Sequence, residues 1–72
     1  MNETFLRQFD LYQHATHTHM ITWLEEMPGL HVGSTVTLEE LPGVWTVMHA
    51  YRTKRTAHDL NTTRRWKVGG LE

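Results

Sequence analysis

Apolar side chains recur at two different periods along this chain. Residues 3–15 place Phe5, Phe9 and Tyr12 at positions i, i+4 and i+7, which is the period of a helix with one apolar stripe. Asn2 suits the N-cap of such a helix. We therefore predict an N-terminal amphipathic helix, whose stripe packs on the rest of the domain or docks a partner or a second copy.

The helix is expected to fray at residues 16–18, which are poor helix formers. The apolar segment that follows, residues 20–24, fits a helix or a strand equally well. We place a boundary here, with an N-terminal helix or arm at residues 1–19 and a small β-barrel domain at residues 20–72.

A short motif occurs twice in the middle of the chain. Residues 24–30 read LEEMPGL, and residues 38–44 read LEELPGV. Proline presets φ at the second position of a type II turn, and glycine accepts the positive φ at the third. Both Pro-Gly pairs are therefore predicted to form turns that separate strands.

The segments around the second pair have the alternation of strands. Val36 and Leu38 lie on one face of residues 35–38, and residues 44–51 are rich in β-branched and aromatic side chains. These segments predict a hairpin that closes at Pro42-Gly43. Residues 64–68 alternate again and predict a last strand with Trp66 and Val68 facing inward, ended by Gly69-Gly70. Closely spaced short strands indicate a mainly β fold, a small antiparallel barrel or meander.

Residues 28–51 also carry a pattern known from a family of small barrels. An apolar residue and Gly33 precede the Val-x-Leu strand at 36–38, and Gly43 leads a strand that ends at Val47. This pattern resembles the opening hairpin of Src-homology-3-like barrels of the KOW and related types. The resemblance implies that Gly33 begins the hairpin tightly and Gly43 forms its corner. In size, charge division and tryptophan content the chain is also similar to short accessory proteins encoded by bacteriophages.

Composition limits the other classes of protein. A chain of 72 residues without cysteine is expected to form one domain without disulfides, as in a reducing compartment. No run approaches the roughly 20 apolar residues of a membrane span. We therefore expect a cytoplasmic protein that does not enter a membrane.

The charges are strongly divided along the chain. Residues 1–41 carry one positive and six negative charges, and residues 42–72 carry six positive and two negative. Tyr51 precedes the first basic run and Trp66 lies within the second, so each run has an aromatic that can stack on a base or anchor a protein contact. The alternative is a solvated face with both aromatics in the core. If the two runs pair as neighbouring strands, their basic side chains form one face that suits nucleic acid or an acidic protein surface: Arg52, Lys54, Arg55, Arg64, Arg65 and Lys67.

Histidines provide the one spacing that a metal ion could use. His14 and His17 share a face if the helix persists, and His17 and His19 share one if the segment is extended. A tight site needs three or four ligands. The others would come from His49, His58, Asp59 or a partner. We predict solvated polar side chains here and no metal or other cofactor.

No complete catalytic motif is present. His58 and Asp59 are neighbours, but neighbours on a strand point to opposite sides, and in a loop Asp59 suits a turn. Ser34 lacks a nucleophile elbow around it, and there is no phosphate-binding glycine loop. We therefore predict that the protein is not an enzyme.

Two hypotheses for function follow. The first is a non-enzymatic binding module whose basic face contacts nucleic acid or an acidic surface of a larger nucleoprotein machine, as a phage-type regulator or inhibitor. The alternative is a structural or assembly protein that forms homo-oligomers or other protein contacts through the N-terminal helix, Trp23 and Trp45.

Overall fold

The computed structural model describes residues 5–56 and 67–71, which form one five-stranded antiparallel sheet. Across the sheet the order is β2-β1-β4-β3-β5, so the β1–β2 and β3–β4 hairpins are joined where β1 pairs with β4. In chain order the strands are β1 (Phe5–Gln13), β2 (Thr18–Glu25), β3 (Thr35–Leu38), β4 (Leu41–Thr56) and β5 (Val68–Leu71).

The prediction of an N-terminal helix is wrong, because residues 5–13 form strand β1. This strand lies between β2 and β4 and shares a backbone ladder with each. Phe9, Leu11 and Gln13 are buried at a period of two, while Phe5, assigned to the helical stripe, is 50% exposed. Two ladders and a strand-period apolar face outweigh a helical spacing of aromatic residues, which themselves favour strands.

The second segment is a strand as well. Thr22 and Leu24 of β2 are buried, and Met20 packs against the core from the same face. The boundary placed after residue 19 falls inside β2, which pairs with β1 from Thr18 to Glu25.

The sheet is open, so the closed barrel that the sequence favoured is not formed. A barrel needs a ladder between the two outermost strands of the sheet. In residues 5–56 and 67–71 β2 pairs only with β1 and β5 pairs only with β3. The mainly β, antiparallel prediction is confirmed. The described residues contain no helix that could span a membrane.

Of the two Pro-Gly turns, only the first is where the sequence predicts it. The Leu30 N–H donates to the Met27 carbonyl (3.2 Å), which closes a turn over Pro28 and Gly29. The β3–β4 hairpin is present, but Leu38 pairs with Leu41, so residues 39–40 make its turn.

The last described strand runs past its predicted end. β5 starts at Val68, which packs against the core, and Gly69-Gly70 lie inside the strand instead of ending it. Residues 64–66 lie outside the described part of the chain.

The core occupies one face of the sheet, where β4 contributes Trp45 and Val47 between β1 and β3. Val36 stands opposite Trp45, and Leu11 is in register with Val47, so the central ladders bring these side chains together. The buried core cluster consists of Phe9, Leu11, Leu24, Val36, Leu38, Trp45 and Val47.

Candidate binding surfaces

The far end of β4 carries the first basic run beyond the reach of β3. β3 pairs with β4 only up to Thr46, and the last residues of β4 pair with the start of β1, with Arg55 opposite Leu6 and Lys54 opposite Arg7. Residues 51–53 then bulge against the ladder, because the next pair is Phe9 with Ala50.

Arg7 holds this bulge in place. Its Nε donates to the Tyr51 carbonyl across the β1–β4 ladder. A buried or half-buried carbonyl released from the ladder needs a donor, and a charged donor makes a strong hydrogen bond. Arg7 therefore fixes the main chain that leads into the basic run.

Three exposed cations lie on this segment: Arg52, Lys54 and Arg55, here called the basic end. The Lys54 ammonium pairs with the Glu26 carboxylate (2.9 Å) at the surface. Arg55 donates from Nη1 to the Lys54 carbonyl (3.0 Å). Across the described ranges, no carboxylate lies within 4.0 Å of either arginine's guanidinium.

Lys67 is the one other predicted basic residue that the structure describes, and it is not part of the basic end. Lys67 is exposed, and its carbonyl accepts from the Glu39 N–H (2.9 Å) beside the β3–β4 turn, at the opposite end of β4. Arg64, Arg65 and Trp66 lie outside the described residues. Of the four predicted basic residues that the structure describes, three therefore lie together.

Aromatic side chains flank the basic end. Tyr51 is partly buried and meets the His49 ring edge-on, with centroids 4.4 Å apart. Phe5 is 50% exposed and pairs with Thr56, next to Arg55. Sequence reasoning missed Phe5 because it assigned that side chain to the apolar stripe of a helix.

The three histidines whose spacing a metal ion could use lie around a tyrosine. Tyr12 and His19 are direct partners in the β1–β2 ladder, and the hairpin turn brings His17 Nδ1 to 2.9 Å from the Tyr12 hydroxyl. The His14 ring meets Tyr12 edge-on at 4.8 Å. The His19 ring lies 4.7 Å from Tyr12. We call Tyr12, His14, His17 and His19 the tyrosine–histidine cluster.

The cluster touches one carboxylate. His19 Nδ1 lies 3.2 Å from Asp10 Oδ1, on the face of the sheet away from the core. No group of three or more His, Cys, Asp or Glu side chains in residues 5–56 and 67–71 is arranged to hold a metal ion. The pair His58 and Asp59 lies outside those ranges.

An open cleft of about 430 Å³ lies between the β1–β2 hairpin and the start of β4. Its walls are mainly apolar and include Met20, Leu41, Pro42 and Trp45. Trp45 is 5% exposed, and its buried indole N–H has no acceptor within the described part of the chain. Trp45 is therefore a core residue and not the exposed protein contact that the assembly hypothesis assumed, while Trp23 is partly buried on β2.

Comparisons with protein-family models, curated proteins and solved structures found no match for this chain. The candidate surfaces are therefore weighed by their own chemistry. The basic end is the strongest candidate, because its exposed Arg52 and Arg55 have no carboxylate partner in the described ranges.

Proposed function

We propose that this protein is a non-enzymatic binding module that contacts the phosphate backbone of nucleic acid through the basic end. One observation carries the proposal: the guanidinium groups of Arg52 and Arg55 are exposed on a paired strand and have no carboxylate partner among the described residues. An acidic protein surface of a nucleoprotein machine could also pair with these arginines. Binding measurements with nucleic acid distinguish the two kinds of partner.

The backbone supports such a contact because it is fixed before a partner arrives. β4 pairs with β1 at Lys54 and Arg55, and Arg7 binds the Tyr51 carbonyl at the bulge. A guanidinium presents several N–H donors in a planar fork that matches phosphate oxygens. Ordering only side chains costs less conformational entropy than ordering a loop as well.

Phe5 adds a surface on which a base can stack. Its ring is half exposed at the end of the β1–β4 ladder, where Phe5 pairs with Thr56, and stacking on aromatic rings is independent of base identity. Phosphate contacts combined with stacking are typical of binding to single strands with little sequence preference. We therefore expect single-stranded nucleic acid to bind more tightly than duplex.

The protein would act by covering the surface of its partner that it binds. With a net charge of −1, attraction to an anion must come from the local arrangement of charges. Exposed Glu39 and Glu40 at the opposite end of β4 disfavour binding in the reverse orientation. A module of this kind serves as a regulator or inhibitor, as the similarity to phage accessory proteins implies.

Fluorescence anisotropy with labelled single-stranded and duplex oligonucleotides tests the proposal over a series of salt concentrations. Arg52→Gln/Arg55→Gln should weaken binding to all sequences and lower the steepness of log K against log salt by about 1.4 for single strands and about 1.8 for duplex, since two phosphate contacts are lost. Lys67→Gln removes an exposed cation at the other end of β4 and should leave binding nearly unchanged. Absence of binding by the parent at low salt would overturn nucleic acid as the partner, and an equal loss in Lys67→Gln would overturn the assignment to the basic end.

A further inference from the structure

The two edges of the sheet differ in how well they resist pairing with another strand. β5 is four residues long and contains Gly69 and Gly70, whereas β2 is eight residues long. Natural edge strands are blunted by lysine, proline, bulges or short length. β2 has none of these features, and its one carboxylate, Glu25, is its last residue.

The β1–β2 ladder determines which backbone groups of β2 point away from the sheet. The Glu26 N–H donates to the Phe5 carbonyl (3.0 Å), and the register continues unbroken to Thr18. Hydrogen-bonded and non-hydrogen-bonded pairs alternate in an antiparallel ladder. Even-numbered residues of β2 therefore bond to β1, and the N–H and C=O groups of the odd-numbered residues from His19 to Glu25 point outward.

The same odd-numbered residues carry the side chains on the face away from the core. Ile21 is 56% exposed, and Trp23 is partly buried beside it. The two ends of this row differ, with the imidazole of His19 at one and the carboxylate of Glu25 at the other. In an antiparallel copy of this row, the imidazole end of one copy would therefore lie opposite the carboxylate end of the other.

From this arrangement we propose that β2 pairs with β2 of a second copy of the chain, antiparallel, about a two-fold axis at Thr22. In this register Ile21 lies opposite Trp23 of the second copy, and His19 lies opposite its Glu25. Aromatic with β-branched pairs and unlike polar pairs are the favourable cross-strand combinations. The two-fold axis repeats each pair, which is the property of an isologous interface.

Side-chain direction and the length of β2 together restrict the register. Faces match only when odd-numbered residues oppose odd-numbered ones, because successive side chains alternate between the two faces. An axis at Trp23 would bring Glu25 opposite Ile21, and an axis at Ile21 would leave Glu25 without a strand partner. The axis at Thr22 alone pairs every residue from His19 to Glu25 and sets the imidazole against the carboxylate.

The proposal is independent of the proposed function, since β2 does not contain the basic end. A continuous ten-stranded sheet would result from two five-stranded ones. Each copy of the basic end would stay exposed, two strands away from the new ladder. Two linked basic ends would raise the avidity for one long anionic strand.

A single engineered cysteine tests the register, because the chain has no cysteine of its own. Thr22 would face its own copy across a non-hydrogen-bonded pair, with Cα atoms about 4.5 Å apart, within reach of a disulfide. Thr22→Cys should therefore form a covalent dimer under mild oxidation. Ile21→Cys is the control, because its two Cα atoms would lie about 9 Å apart, beyond disulfide reach.

Analytical ultracentrifugation of the parent and two lysine variants tests the association itself. Ile21→Lys should weaken the dimer by at least about tenfold, since the axis places both new charges in the interface. Val32→Lys is matched to it, with 57% exposure against 56%, but lies in the 31–34 turn away from β2, and should leave the dimer intact. A parent that stays monomeric at high concentration, or cross-linking of Ile21→Cys without Thr22→Cys, would overturn the proposal.

Discussion

The two Pro-Gly copies have nearly the same sequence and different structures. At residues 24–30 the Pro-Gly pair is a turn, and at residues 38–44 it lies inside strand β4. In both copies the glycine has a positive φ, +86° at Gly29 and +89° at Gly43. The local backbone preference is therefore kept, while its place in the fold changes.

The first copy is free to form the turn that its residues favour. It follows the end of edge strand β2 and closes with the Leu30 N–H on the Met27 carbonyl. A Cβ at Gly29 would meet only the end of the flexible Leu71 side chain, at 3.0 Å. Few contacts from other strands therefore oppose the turn that Pro28 and Gly29 favour.

The second copy is held by contacts from other strands. Gln13 of β1 donates from Nε2 to the Pro42 carbonyl (2.7 Å), and its Oε1 accepts from the Thr16 hydroxyl (2.6 Å). Leu38 pairs with Leu41 and Thr37 with Val44, so Pro42 and Gly43 are extra residues in the ladder. Proline has no N–H for a central ladder and is tolerated at such an irregularity.

The turn is thereby moved onto two acidic residues. Glu39 donates its N–H to the Lys67 carbonyl, and Glu40 takes a φ of +69°, a region that favours glycine. A hairpin can thus adopt a locally poor turn when neighbouring strands hold its ends. Three substitutions test this difference between the copies.

Gly43→Ala should have the largest effect. The new Cβ would overlap the amide of Gln13, whose side chain is 7% exposed, and alanine disfavours the positive φ. We expect a loss of about 2–4 kcal/mol in the free energy of unfolding. Urea denaturation followed by circular dichroism measures it. In a Gln13→Ala background the same change should cost only about 1–2 kcal/mol, the cost of the backbone conformation. An equal cost in both backgrounds would contradict the role given to Gln13.

Gly29→Ala should have a smaller effect. The positive φ disfavours alanine here too, but the nearest atom belongs to a side chain that can move. We expect a loss of about 1–2 kcal/mol in the same urea experiment, the cost of the backbone conformation alone. A loss as large as that of Gly43→Ala would show that the first turn is also held by packing.

Glu40→Gly should have the smallest effect and the opposite sign. Glycine relieves the positive φ but loses more backbone entropy on folding than glutamate does. The expected result is a gain of about 0.5 kcal/mol, since the first term is slightly the larger. Thermal unfolding compared with Glu39→Gly, whose φ is not positive, provides the control. A loss of stability in Glu40→Gly alone would contradict the strained turn.

The candidate surfaces were predictable where they depended on charge. Arg52, Lys54 and Arg55 are neighbours in sequence, so any strand through them gathers cations at one place. Lys67 was expected beside them and lies at the other end of β4, because β5 pairs with β3. The exposure of Phe5 could not be predicted from the sequence, because it follows from the pairing of β1 with β2 and β4.

The histidines also show that sequence spacing does not reveal which side chains meet across a ladder. The sequence brought His14, His17 and His19 together, and they do cluster. It could not show that Tyr12 stands at the centre, because that follows from the hairpin register pairing Tyr12 with His19.

By itself the sequence determined a mainly β chain, the first Pro-Gly turn, the existence of the β3–β4 hairpin and the basic run. These features depend on side-chain alternation, on the φ preferences of proline and glycine, and on charge count, which are properties of neighbouring residues. Only the tertiary structure decided that residues 5–13 form a central strand, that residues 39–40 turn while Pro42 and Gly43 do not, and that the sheet stays open. Each of these depends on backbone hydrogen bonds and packing between segments far apart in the chain, and the energy of those contacts exceeds the local preference that opposes it.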